Sequence, residues 1–131
     1  AGLGMKRTLV VWGEGNMDEM TVTGTSYVAE AHDGMVESYT VDPEDVGLSR
    51  ATLDDIRGGA TAKESAALVR EVLNNTPGAR LDMVLLNGAA ALLAAGKTDN
   101  LQDGVEQARE IIASGAALEK LDQLVAFCGK G

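Results

Sequence analysis

A chain of 131 residues, 45% apolar but only 3% aromatic, has the length for one compact domain whose core is mostly Leu, Val, Ala and Met. Its net charge of -9 argues against a nucleic-acid or anionic-membrane surface, since both need clustered Lys and Arg, and leaves metal binding or a basic partner open. The single cysteine, Cys128, excludes an internal disulfide and suits a reducing compartment. No signal peptide is visible, and the longest apolar stretch, near Met83 to Ala95, is interrupted by Asn87 and Gly88 and too short to span a bilayer. A cytoplasmic location is expected.

The chain opens Ala1-Gly2-Leu3-Gly4 without an initiator methionine. Met5 is a candidate start, with a tag remnant before it. A strand begins at once after Lys6-Arg7, so the expectation is a chain that starts inside a longer parent. Thr8 to Trp12 is a short, apolar, β-branched run, of the type expected in a strand covered on both faces. Gly13 and Gly15 then allow a sharp turn at its carboxyl end, where ligands of open α/β sheets sit. Asp18 and Glu19 fall in that turn, with no basic residue between Arg7 and Arg50. Adjacent carboxylates there suit Mg²⁺, a hard cation that takes oxygen ligands. A solvated acidic turn on an acidic protein is the competing reading.

Met20 to Thr25 alternates loosely, as a short strand would. Two further strands, Ser26 to His32 and Met35 to Val41, flank Asp33-Gly34, a strong signal for a two-residue hairpin. Tyr27 and Tyr39 are expected near each other across it. His32, the only histidine, reads as a turn-flanking side chain, since no partner for metal or catalytic work is available. Asp42-Pro43-Glu44-Asp45 predicts an extended residue and one short helical turn. Thr52 to Asp55 has the form of a cap box for a short helix ending at Gly58-Gly59, a pair that stops a helix or lets backbone approach a ligand or partner.

Thr61-Ala62-Lys63-Glu64 is a capping box, and Leu68, Val69, Val72 and Leu73 stripe the helix that follows. Leu81 to Ala95 is apolar nearly all round and predicts a central helix covered on every side, its alanines permitting close neighbours. Asn87 within it is expected to be hydrogen-bonded, tying down a neighbouring loop. Asn100 caps a third helix with Leu101, Val105, Ala108 and Ile112 facing inward. A last helix, Ala116 to Phe127, is expected to bury Leu118, Leu121, Leu124 and Val125, with Cys128 a small buried side chain near its end. No Ser/His/Asp or Cys/His constellation exists. Gly13-Glu14-Gly15 is too short for a dinucleotide fingerprint, and there is no P-loop.

The ordered runs VVWGEGNMDEMTVTG, SYVAEAHDGMVESYTVDPEDVGL, IRGG and VLLNGAAALLAAGK, with ASGAAL in the final helix, together resemble the anthranilate phosphoribosyltransferase family over almost the whole chain. The resemblance implies a C-terminal fragment of an α/β domain of phosphoribosyltransferase and nucleoside-phosphorylase type. It would be one partial domain over 1–131, with strand, acid turn and hairpin at 8–41 and helices at roughly 52–128. It implies an enzyme that moves phosphoribose from phosphoribosyl pyrophosphate to anthranilate in tryptophan biosynthesis. Asp18 and Glu19 match the family's Mg²⁺-binding pair. The family's pyrophosphate-cradling Gly-Thr-Gly-Gly-Asp loop, its Lys-His-Gly-Asn segment and its helical domain are not in this sequence. A chain of this extent is therefore expected to be inactive alone, to partner the missing N-terminal part of its parent, and to self-associate through an open strand edge. Trp12 stands where the family usually has His, and Ser65 and Gly88 replace Asn and Ala. A related pyrimidine nucleoside phosphorylase, a family paralogue and a non-catalytic assembly module remain as alternatives.

Overall fold

The computed structural model describes residues 4–129, so Ala1–Leu3, read as a tag remnant, lie outside the described residues. The architecture is α/β: three strands followed by four helices. Strands β1 (Arg7–Gly13), β2 (Ser26–His32) and β3 (Met35–Val41) form an antiparallel meander in the order β1-β2-β3. The turn between β2 and β3 is the expected Asp33-Gly34, with φ of 50° and 79°, the left-handed pair that a two-residue hairpin requires. A 3-10 turn, Pro43–Val46, follows extended Asp42. Helices α1 (Ala62–Leu73), α2 (Ala79–Ala94), α3 (Leu101–Ala113) and α4 (Ala116–Cys128) complete the chain.

One face of the sheet meets the helices. Leu9, Val11, Val28, Tyr39 and Val41 point inward and pack with Leu85, Leu86, Leu93, Val105 and Ile112. Leu85 and Leu86 are fully buried, a gain of about 2 kcal/mol each. The outer face carries Thr8, Val10 and Trp12 from β1, Tyr27, Ala29 and Ala31 from β2, and Val36, Ser38 and Thr40 from β3. None of these is charged, and Val10, Trp12, Tyr27 and Val36 are exposed. So β1 is not covered on both faces, as its continuous apolar run suggested. It is an edge strand with one bare side. Tyr27 and Tyr39 also lie on opposite faces, because Val28, not Tyr27, is the partner of Tyr39. Tyr27 instead stacks on Trp12, ring centroids 4.8 Å apart and nearly parallel.

Met20 to Thr25 is not a strand. The Thr21 amide donates to Ser26 Oγ and the Thr23 amide to Thr21 Oγ1, so side chains replace a ladder. The cap box at Thr52 also opens no helix. Its amide and hydroxyl donate to Asp55 Oδ2, and the chain makes only a turn before Gly58. Helices therefore begin at Ala62 rather than near 52. Thr61 and Asn100 do cap α1 and α3, accepting from the amides of Glu64 and Asp103. The extensive interface between α2 and α3 is close because Gly104 lies against Ala89, where an added Cβ would sit 2.9 Å from the alanine Cβ.

Two expectations about the helices are corrected. The α2 helix is not covered all round, since Val84 and Ala91 are exposed beside the half-buried Gly88 and Leu92. The α4 helix has the right apolar spacing but buries nothing fully: Leu118 and Leu121 are half-buried, Leu124, Val125 and Phe127 exposed. Cys128 is exposed, not buried.

Between sheet and helices lies one buried polar network. Glu30, 5% exposed, accepts from Arg7 Nε and from the Tyr39 hydroxyl at 2.8 Å. Burial pushes the Glu30 carboxyl up, but the Tyr39 hydroxyl and the Arg7 guanidinium together outweigh it and hold it below its ordinary value of 4.5. Burial, then the same hydrogen bond, pushes the Tyr39 hydroxyl up. A carboxyl depressed on folding contributes stability that is present above its ordinary value and is lost as pH falls through the folded value. The melting advantage of the native chain over Glu30→Gln should thus be full at pH 7 and shrink as pH falls below the ordinary value of 4.5 and through the folded value. Melting curves of both proteins across that range measure it. A gap that stays constant with pH would show that the network is not held by charge.

Candidate functional site

The loop from Glu14 to Thr25 begins where β1 ends. Gly13 and Met17 exchange both backbone hydrogen bonds, at 3.1 and 3.2 Å, closing a tight turn through Gly15 and Asn16, whose φ values are 82° and 62°. Beyond the turn the chain doubles back across the strand end. The Glu19 carbonyl passes so near Gly13 that a Cβ there would lie 2.9 Å from it and 2.7 Å from Thr21 Cγ2. Gly13 is needed for this approach, not only for the turn the sequence suggested.

Asn87 holds the far side. Its Oδ1 accepts from the Met20 amide at 3.0 Å, and its Nδ2 donates to the Met20 carbonyl at 2.9 Å and to Met83 at 3.0 Å. This is the loop tie that a polar residue in an apolar helix predicts. Met20 and Thr21 are fully buried, which fixes the residues just before them. The other end is closed by Thr25, whose hydroxyl donates to Asp42 Oδ1 at 2.7 Å. That bond first, then Arg50, holds the Asp42 carboxyl below the usual range.

Between these anchors Asp18 and Glu19 stand exposed at the carboxyl end of β1. Among the described residues neither carboxylate has a hydrogen bond or an ion pair, and no group of three His, Cys, Asp or Glu side chains surrounds a point that could hold a metal. The pair is therefore an incomplete oxygen donor set. Two carboxylates with the remaining positions left to water and ligand oxygens fit Mg²⁺. Glu19 also borders an open groove of about 480 Å³ between α1 and α2, lined by Ile56, Val69, Met83 and Val84. Arg80 at its rim donates to the Arg57 carbonyl at 3.2 and 2.7 Å. Sequence reading missed Arg80 and named Ile56 only as part of the IRGG run. The only signal was an arginine in the first turn of an apolar helix.

Other singled-out residues lie elsewhere. His32 is at the opposite end of the strands, 3.5 Å from Asp33. Gly59 makes a close approach to the first turn of α1: an added Cβ would lie 2.6 Å from Glu64 Cβ.

Residues 1–118 match the model of the glycosyl transferase family, a/b domain. The chain is 67% identical over 125 residues to the anthranilate phosphoribosyltransferase of Desulfotalea psychrophila, covering 95% of this chain and 36% of that protein. It is 48% identical to the enzyme of the same name from Azorhizobium caulinodans, covering 93% of this chain and 35% of that one. The crystal structure of anthranilate phosphoribosyltransferase from Thermus thermophilus superposes with a TM-score of 0.81 at 43% identity, over 92% of this chain and 35% of that chain. The Saccharomyces cerevisiae enzyme in complex with PRPP and Mg superposes with a TM-score of 0.77 at 25% identity, over 88% and 33% of the two chains. The chain thus spans about a third of the length of the relatives it matches.

Proposed function

Because the chain belongs to the glycosyl transferase family through its a/b domain, we propose that it is the C-terminal portion of an anthranilate phosphoribosyltransferase. The whole enzyme would transfer phosphoribose from phosphoribosyl pyrophosphate to anthranilate for tryptophan biosynthesis, in the cytoplasm. The observation that carries the reading is the anchored loop that presents Asp18 and Glu19, unpaired, at the end of β1.

In this reading Asp18 and Glu19 supply carboxylate oxygens to a Mg²⁺ ion that is shared with the pyrophosphate of the substrate. Mg²⁺ bound there would neutralise charge on the leaving pyrophosphate. Asn87 and Gly13 hold the loop so that the carboxylates need not reorganise when ligand arrives. The missing portion of the parent chain would bring the phosphate-cradling loop and the acceptor pocket. Self-association through the open edge of β1 belongs to the same proposal for the isolated chain.

The test compares two proteins. The 131-residue chain alone should form no phosphoribosyl anthranilate and should bind Mg²⁺ weakly by titration. The same chain joined to the part of the D. psychrophila enzyme that it does not match should turn over with Mg²⁺. Mg²⁺-dependent turnover by the isolated chain, or none by a well-folded joined protein, would overturn the reading.

A further inference from the structure

The ladder between β1 and β2 stops one pair short of where its register would carry it. Gly13 faces Ser26, so the next pair is Glu14 with Thr25. In an antiparallel ladder such a pair exchanges two backbone hydrogen bonds. Only one of them forms: the Glu14 amide donates to the Thr25 carbonyl at 2.9 Å. The Thr25 amide donates instead to Glu14 Oε2 at 3.1 Å. A side-chain carboxylate has taken the place of the Glu14 backbone carbonyl. Gly24 makes room for it. The Glu14 side chain folds back over this buried glycine, where an added Cβ would lie 2.9 Å from Glu14 Cβ and 3.0 Å from its Cδ. The backbone of Gly24 is not left-handed, so its missing side chain serves this contact rather than an unusual angle.

We propose that Glu14 is a positioning residue for the acid pair: its carboxylate stops the ladder at Gly13 and so fixes the turn that presents Asp18 and Glu19. With its carbonyl out of the ladder, the chain after Glu14 can turn away through Gly15 and Asn16, in the tight loop that Gly13 and Met17 close. Asp18 and Glu19 lie between that loop and the tie from Met20 to Asn87. One end of the pair is thus held by Asn87 and the other through Glu14. Without the carboxylate, the Thr25 amide turns to the Glu14 carbonyl, the ladder gains a pair, and the tight loop and Asp18 move with it. Glu14 does not complete a metal site, since among the described residues no three acidic, His or Cys side chains surround a common point. The positioning role rests on the metal reading of Asp18 and Glu19, but the stop in the ladder does not.

Three variants test it: Glu14→Ala, Glu14→Gln and Gly24→Ala. Glu14→Gln keeps an oxygen for the Thr25 amide. Gly24→Ala sets a methyl group where the Glu14 side chain lies and displaces it. In the 131-residue chain, NMR resonances of the backbone amides from Gly15 to Glu19 should shift in Glu14→Ala and in Gly24→Ala. They should stay in place in Glu14→Gln, and those of Leu85 and Val105 should stay in place in all three. In the joined protein, Glu14→Ala and Gly24→Ala should each raise the Mg²⁺ concentration for half-maximal rate about tenfold, with the rate at saturating Mg²⁺ within about threefold of the parent. Glu14→Gln should stay within about twofold in both. The two impaired variants combined should do no more than either alone, because both break one contact. A Glu14→Gln variant as impaired as Glu14→Ala overturns the inference, since charge rather than the hydrogen bond would then be at work. Unmoved loop amides in Glu14→Ala overturn it as well. So does an unchanged Mg²⁺ dependence in Glu14→Ala where Asp18→Asn with Glu19→Gln has lost turnover. Should that acid-pair variant keep full turnover while Glu14→Ala still moves the loop amides, the metal reading falls and the stop in the ladder stands.

Discussion

Asp18→Asn with Glu19→Gln, made in the joined full-length protein, lowers turnover by several kcal/mol of transition-state stabilisation, roughly a hundredfold to a thousandfold. The expectation follows from where the two carboxylates sit. Both are exposed, and neither has a hydrogen-bond or ion-pair partner among the described residues, so their charge does no structural work in this chain. On the proposed reading, neutralising them removes the anionic oxygens offered to Mg²⁺ and little else. The melting temperature should be unchanged within the effect of ordinary surface substitutions, about 0.5 kcal/mol. Steady-state rates at limiting Mg²⁺, set beside melting curves, separate the two consequences. Wild-type turnover in the double variant at limiting Mg²⁺ would show that the pair is only a solvated acidic turn.

The second large effect is at Asn87. Asn87→Leu keeps the branched shape of the side chain but removes an acceptor and a donor that meet both backbone groups of Met20. Met20 is fully buried, so its amide and carbonyl would be left without partners. Each such group costs about 1–3 kcal/mol, and the loss for the pair is expected at about 2–4 kcal/mol, a fall of roughly 10 °C in melting temperature for a domain of this size. Asn87→Asp should recover little, because it keeps the acceptor for the Met20 amide but sets a carboxylate oxygen against the Met20 and Met83 carbonyls. Urea unfolding of the isolated chain measures both. The loop that carries Asp18 and Glu19 depends on the same two bonds, so in the joined protein Asn87→Leu should also raise the Mg²⁺ concentration needed for half-maximal rate. A variant as stable as the parent would mean that water or a shifted loop replaces the amide.

Local chemistry in the sequence foretold local structure well. Asp33-Gly34 made its hairpin, and Thr61 and Asn100 capped their helices, since each signal is satisfied within four residues. Asn87 was legible for a different reason: an amide in an apolar helix has to find partners, although the sequence could not say that they would be 67 residues away at Met20. What failed was burial. An apolar run records that a surface will be covered, not that the covering belongs to the same 131 residues. Val10, Trp12, Leu124 and Val125 were read as buried and are bare here. Met20 to Thr25 failed because Ser26 and Thr21 side chains compete for the backbone, a preference that alternation does not record. The acid pair itself was legible as a candidate. Its setting, with Gly13 admitting the Glu19 carbonyl and Arg80 at the rim, depended on contacts between distant segments.

The thinly packed α4 helix bears on how the domain breathes. It runs unbroken from Ala116 to Cys128, yet no residue in it is fully buried, so little buried apolar area is exposed when it unwinds. Opening it should need far less free energy than opening α2 and α3, which share Gly104, Ala89 and the core leucines. Amide hydrogens of Leu118 to Phe127 would then exchange with solvent deuterium by local opening, well before those of Leu85 or Val105, which wait for the whole domain to unfold. The carboxyl-terminal helix should therefore open as a weaker cooperative unit than the α2–α3 core.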